Sequence, residues 1–349
     1  MWKKIVLIAL VAGILTGLYI GWLFFMSSTT FPEKSKYFYI RTGHANYREV
    51  SQALKDSNIT RNPSSFDFLA KRMDVATKLR PGRYEIQKGM SLFDVAKMLR
   101  NGKQSPVNLT ITKIRTKEQL AGIVGRRFEC DSLSMIRFMT SPDSLKEFGL
   151  DSNTVMTAVF PNTYTYLWNS LPGNIFSKLF SEYKKIWTPE RRQLAEQHGL
   201  NPASAYILAS IIEEETNLKE DKGNMASVYM NRINKGIKLG ADPTVKFALK
   251  DFSLKRIYEK HTAVESPYNT YRNFGLPPGP ICTPSLETVD EVLNSPSTNY
   301  LFFVAKSDFS QRHIFTETYS DHLKYAKEYH KALDQLIQKK QAAKEDTGE

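Results

Sequence analysis

The chain has 349 residues, 41% hydrophobic and 24% charged, a composition that excludes a disordered polymer and is long enough for about two domains. Lys and Arg outnumber Asp and Glu 48 to 36, and the formal charge of +12 favours an anionic partner: nucleic acid, a lipid surface or an anionic polymer. Cys130 and Cys282 lie far apart and the six His are scattered, so no metal or cofactor is expected, and the cysteines form either one disulfide or two buried thiols.

Lys3 and Lys4 precede residues 5–26, a run of about 22 without charge that matches the thickness of a bilayer core. A cleaved signal peptide has a shorter apolar stretch and a small-residue cleavage site, which residues 17–26 do not offer. The run therefore reads as a transmembrane helix. The next cation after it is Lys34, so the positive-inside rule leaves residues 1–4 as a cytoplasmic tail and sends the body outside the inner (plasma) membrane. That location removes nucleic acid as a partner and leaves lipid headgroups or cell-wall polymer. Residues 27–36 read as a polar linker able to stretch about 30 Å.

Residues 37–105 read as a small α+β module: strand 36–41, helices 47–57 and 64–77, strand 82–87, and a helix over 91–101 closed by Gly102. Its second half, residues 82–99, resembles the LysM pattern of strand, turn and Ser-opened helix, a module associated with glycans containing N-acetylglucosamine; a spacer role is the alternative. Residues 106–157 read as a connecting region, with a strand at 107–112, a helix opened by a capping box from Thr116 to Gln119, and short helices at 133–139 and 145–148. Residues 158–335 read as a further mixed helical/β domain, and 336–349 as a polar tail. Residues 158–168 are dense in aromatics around a Pro-Asn turn, suited either to stacking on sugar rings or to a packed core. Helical stretches at 174–199 and 224–235 flank the run 203–216, and Pro-rich loops follow at 239–245, 266–271 and 275–284. A hairpin of 300–305 with 312–316 and an amphipathic helix from 318 to 341 complete the chain.

The run 203–216 is apolar and helical and ends in Glu213-Glu214-Glu215-Thr216. At about 100° per residue, Ile207, Leu208, Ile211 and Ile212 centre a stripe near about 70°; Glu215 falls at about 80° and Glu213 roughly opposite. Two readings follow. Either the helix frays after Ile212 and all three acids are solvated, or Glu215 points into the core. There it is paired with a cation, or it is desolvated and holds a proton near neutral pH as a general acid must.

In this order, residues 208–216, 226–232, 242–245, 268–271, 275–281 and 300–305 carry a further likeness: the chain resembles the MltG/YceG-like endolytic murein transglycosylases, from the anchor to about residue 330. The resemblance implies an α+β protein with a transmembrane helix, a LysM-like module and a mixed helical/β catalytic domain whose catalytic Glu closes a buried helix. The acid before Thr in the family's Glu-x-Glu-Thr segment falls on Glu215. One departure is Asn162, where the family usually has Asp; Asn still holds the turn.

The implied reaction cleaves the bond between N-acetylmuramic acid and N-acetylglucosamine within peptidoglycan strands without water, leaving 1,6-anhydro ends and terminating nascent strands. Glu215 would serve as acid and then base. Tyr164, Asn231, Tyr268, Asn269 and Tyr271 are the candidate sugar-binding residues, with Asp242 beside them. Penicillin-binding peptidoglycan synthases are the expected partners. Two alternatives are a hydrolase that pairs Glu215 with Asp242 across the scissile bond and a non-catalytic wall-binding protein.

Overall fold

The computed structural model describes residues 2–26 and 28–347, with side chains through Gln338. It divides into two compact units, the first holding Met1–Leu109, Val124–Asp131 and Tyr164–Pro172, the second Thr110–Ile123, Ser132–Thr163 and Gly173–Glu349. The chain therefore leaves the first unit and returns to it twice, which no linear boundary at 105 or 157 expresses. The architecture is α+β, with helices packed around short two-stranded ribbons.

In the first unit α1 (Trp2–Phe25) is a 24-residue helix, apolar enough to cross a membrane and with none of its residues buried. Strand β1 (Ser35–Ile40), helices α2 (Tyr47–Asp56), α3 (Pro63–Arg72) and α4 (Val75–Lys78), strand β2 (Gly82–Gln87) and helix α5 (Leu92–Arg100) follow. β1 and β2 pair antiparallel, Ser35 opposite Gln87 and Ile40 opposite Gly82, and alternate residues (Phe38, Ile40, Tyr84, Ile86) enter the core. Helix α5 begins as its sequence dictates: Ser91 accepts from the N–H of Asp94 at 3.1 Å, and the Asp94 carboxylate receives the N–H of Ser91 in return.

The stretch read as a linker is built into this unit. Ser28, Thr29 and Phe31 are buried; Ser28 donates to the Met90 carbonyl at 3.0 Å and accepts from the Arg61 N–H at 2.8 Å. Thr29 pairs with Thr60 in an isolated bridge, and the Gly89 N–H donates to its hydroxyl. Its polar backbone finds partners here, which composition alone could not reveal.

Strand β3 (Val107–Ile111) and helix α6 (Lys117–Arg127) precede α7 (Ser132–Thr140) and α8 (Pro142–Lys146). Strand β4 (Asn162–Tyr166) pairs with β3, and the aromatics read two ways from sequence are packed: Phe160 stands edge-on to Tyr206 at 5.0 Å, and Phe128 to Tyr166 at 5.6 Å. In the second unit α9 (Pro172–Ile186) and α10 (Pro189–Gln197) lead to α11 (Pro202–Glu215), then α12 (Lys219–Asn234), α13 (Asp242–Leu249), α14 (Glu259–Thr262) and α15 (Leu286–Leu293). Strands β5 (Phe302–Ala305) and β6 (His313–Thr316) form the expected hairpin, Phe302 opposite Thr316. The last helix, α16 (Tyr319–Thr347), runs past 341, the end read from the sequence. Of the polar tail, residues 348–349 and all side chains beyond 338 lie outside the described residues. Cys130, partly buried, and Cys282, buried, are both free thiols.

Candidate active site

Helix α11 is the centre of the second unit. Asn201 caps it, accepting from Ser204 N–H at 2.9 Å while Ser204 Oγ accepts from Asn201 N–H at 2.8 Å, and Pro202 sits where no amide partner is needed. Every residue from 205 to 212 is buried, so the helix is enclosed on all sides rather than along one stripe. Thr216 ends it in an extended conformation (φ −147°, ψ 146°) and its hydroxyl accepts from the Leu218 N–H at 3.0 Å, turning the chain into α12. Loop 279–283 is fastened to the same helix: Ser210 Oγ accepts from Ile281 N–H at 3.0 Å. A Cβ on Gly279 would stand 2.2 Å from the Asn153 carbonyl, so only glycine allows this approach.

Three carboxylates in the last turn of a helix oppose its dipole, whose negative end lies there. Two are neutralised. Glu213 receives Lys222 Nζ at 3.2 Å together with the Thr288 hydroxyl, and Glu214 receives Lys113 at 3.1 Å and Arg115 at 2.9 Å. Both side chains are only 15% exposed and ion-paired, and the helix continues to Glu215, so the reading in which the helix frays and all three acids are solvated fails. Glu215 joins no ion pair among the described residues. Its Oε1 accepts the Tyr229 hydroxyl at 2.6 Å.

Desolvation pushes the Glu215 carboxyl up from 4.5 to about 7. The Tyr229 hydrogen bond opposes this rise, Asp242 adds to it by like-charge repulsion, and Lys246 and Arg232 oppose it weakly. Burial and the same contact hold the Tyr229 hydroxyl protonated far above its ordinary range, so it remains a donor.

The carboxyl opens onto two cavities. One, of about 300 Å³, is lined by Tyr229, Arg232, Asp242, Tyr271, Phe303 and His322; the other, of about 220 Å³, by Lys113, Thr216, Asn217, Gln311 and His313. Arg232 ties the first together, donating to the carbonyls of Leu301 at 2.7 Å and Leu239 at 2.6 Å. His313 closes the second and is held by Asp221, Nδ1 to Oδ2 2.8 Å. The groups around Glu215 are hydrogen-bond donors, the carboxylates of Glu213, Glu214 and Asp242, and aromatic faces, a lining that suits a hydroxyl-rich ligand. Among the described residues no cluster of three or more His, Cys, Asp or Glu is gathered for a metal.

Of the residues singled out from sequence, Glu215, Asp242 and Tyr271 share the first cavity, where the Tyr271 hydroxyl donates to Asp242 Oδ1 at 2.6 Å. Asn231 instead clamps a loop, donating to the carbonyls of Thr298 and Tyr300 at 2.8 and 3.0 Å. Asn269, wholly buried, binds the carbonyls of Thr262 and Val264, and Tyr268 packs on Phe247 at 4.7 Å. Neither lines the cavities. Tyr164 is buried on β4 and belongs to the first unit. Tyr229, Arg232, His313 and His322 were not singled out from the sequence. The spacing of Tyr229 and Arg232, i and i+3 on one face of α12, was the available signal.

The fold and this geometry define a two-unit α+β protein built on an enclosed helix that ends in a carboxylic acid kept protonated near neutrality, at the junction of two polar cavities. The YceG-like family matches residues 38–328, and the chain belongs to that family. The endolytic murein transglycosylase of Bacillus subtilis (strain 168) is 25% identical over 295 residues, covering 80% of this chain and 81% of the relative. That of Streptococcus pneumoniae serotype 2 (strain D39) is 26% identical over 323 residues, covering 83% of this chain and 58% of the longer relative. A crystal structure of a YceG-like protein from Listeria monocytogenes matches with a TM-score of 0.54 at 25% identity, over 83% of this chain and 98% of that one.

Proposed function

We propose that this protein is a membrane-anchored endolytic murein transglycosylase in which Glu215 is both the acid and the base. The observation that carries the reading is the Glu215 carboxyl itself: desolvated, without an ion pair among the described residues, at a pKa of about 7, and open to a cavity on either side. A cavity on each side of the acid suits cleavage within a strand. Protonated Glu215 gives its proton to the bridging oxygen as the bond from C1 of N-acetylmuramic acid breaks. The resulting carboxylate takes the proton of the muramoyl C6 hydroxyl as O6 bonds to C1. A 1,6-anhydro ring and a free N-acetylglucosamine hydroxyl result, no water is consumed and the acid is restored. Tyr229 orients the carboxyl, and its hydrogen bond stabilises the carboxylate between the two steps.

The positive flank of α1 and the absence of cations until Lys34 support a cytoplasmic N-terminus and an extracytoplasmic body. The β2–turn–α5 unit with its Ser91 cap supports the LysM-like reading of the first unit, and peptidoglycan synthases are the neighbours this reading implies. The rival hydrolytic reading draws on Asp242, which faces the same cavity as Glu215. Digestion of purified peptidoglycan separates them: anhydromuramoyl ends are expected, lost in Glu215→Gln, whereas reducing muramoyl ends would refute the lytic reaction. Full cleavage by Glu215→Gln would refute the assignment of the acid.

A further inference from the structure

Helix α1 does not leave the first unit on a free tether. Phe24 stacks on Phe68 of α3 at 6.1 Å with planes 11° apart, and Phe25 meets Phe93 of α5 at 5.1 Å. The next residues are pinned within the unit by the Ser28, Thr29 and Thr30 hydrogen bonds to Met90, Arg61, Gly89 and Ile59. Because Phe24 and Phe25 end an apolar helix about 36 Å long, with Tyr19 and Trp22 stacked one turn earlier as interfacial aromatics, their partners lie at the edge of the hydrocarbon.

At that depth the surface is neither plainly apolar nor plainly charged. Phe68 is 54% exposed, and Phe93 is partly exposed. Each has a cation over its ring: Arg72 Cζ at 5.5 Å from the Phe68 centroid and Lys97 Nζ at 6.0 Å from that of Phe93. The nearby acids are engaged elsewhere. Asp67 takes Lys55, Tyr47 and Ser51, and Asp94 caps α5 through Ser91; Arg72 and Lys97 have no ion-pair partner among the described residues. Phenyl rings roofed by unpaired cations, continuous with a spanning helix, have the chemistry of the boundary between acyl chains and phosphates.

We propose that α3 and α5 form a second membrane contact, with Phe68 and Phe93 entering the headgroup boundary and Arg72 and Lys97 binding phosphates of anionic phospholipid. The contact fixes the first unit against the bilayer, which a single helix on a flexible linker would leave free to turn. It rests on α1 spanning the membrane and is independent of the reaction at Glu215.

The test uses the full chain in bilayers of phosphatidylcholine with or without phosphatidylglycerol, with photoreactive benzoylphenylalanine at position 15, 68 or 37. Lipid adducts are expected from 15 and 68 and not from Tyr37, which is exposed on β1. The yield at 68 should rise with phosphatidylglycerol and fall at least about fivefold in Arg72→Glu/Lys97→Glu, the loss expected for one surface cation. Adducts at 15 without any at 68 would overturn the contact while leaving the anchor intact. No adducts at 15 would overturn the anchor and the proposal with it. Adducts at 68 indifferent to lipid charge and to the reversal would overturn the binding of anionic headgroups.

Discussion

Replacing Glu215 by Gln should abolish cleavage and at the same time stabilise the protein, and the pH dependence of that stabilisation tests the site directly. In the folded state the carboxyl holds its proton up to about pH 7, whereas the unfolded chain releases it near 4.5. Between these values the native state binds more protons than the unfolded state, so stability falls as pH rises. A displacement of about 2.5 units at about 1.4 kcal/mol each amounts to about 3.5 kcal/mol, absent below pH 4.5 and complete above 7. Glutamine keeps the shape, does not titrate and never becomes a desolvated charge. The variant should therefore match the wild type at pH 4 and exceed it by up to about 3.5 kcal/mol at pH 8, or several degrees in Tm for a unit of this size. Urea denaturation of both proteins at a series of pH values measures the difference. A difference that does not change with pH would mean that Glu215 titrates as a solvated acid, and the argument for a protonated catalyst would fall with it.

Tyr229→Phe removes the hydrogen bond that opposes the raised pKa, so the alkaline limb of the pH–rate profile should move up by about one unit; an unmoved limb would deny the contact. Asp242→Asn removes a like charge, so the limb should move down while anhydromuramoyl products persist; complete loss of cleavage in this variant would favour the two-carboxylate hydrolase. Glu213→Gln strands Lys222, whose side chain is 6% exposed, and should lower stability by about 3 kcal/mol with cleavage per folded molecule retained. A folded but inactive Glu213→Gln would place the chemistry on the wrong acid.

Much of the chain was legible because its signals are local. The apolar helix α1, the Ser91 cap, the β5–β6 hairpin and the run of acids before Thr216 each depend on residues a few positions apart. Local signals also failed where a neighbour far along the chain decides the outcome. Residues 28–34 look like a linker until Met90, Arg61 and Lys88 supply their hydrogen bonds. Residues 239–245 look like a loop, yet α13 starts at Asp242. The helical wheel selected Glu215 by the direction of an apolar stripe, but α11 is buried all round and direction separates nothing.

The sequence by itself determined that an α+β protein contains a carboxylate-ended helix and an N-terminal helix long and apolar enough to cross a membrane, because periodicity, caps and an uncharged run are written in consecutive residues. Only the tertiary structure decided which of the three acids stays free to carry a proton. Lys222 comes from the next helix, Lys113 and Arg115 from 100 residues away, and Tyr229 from the facing side of α12. A pKa depends on what surrounds a group in space, and folding alone brings those partners together.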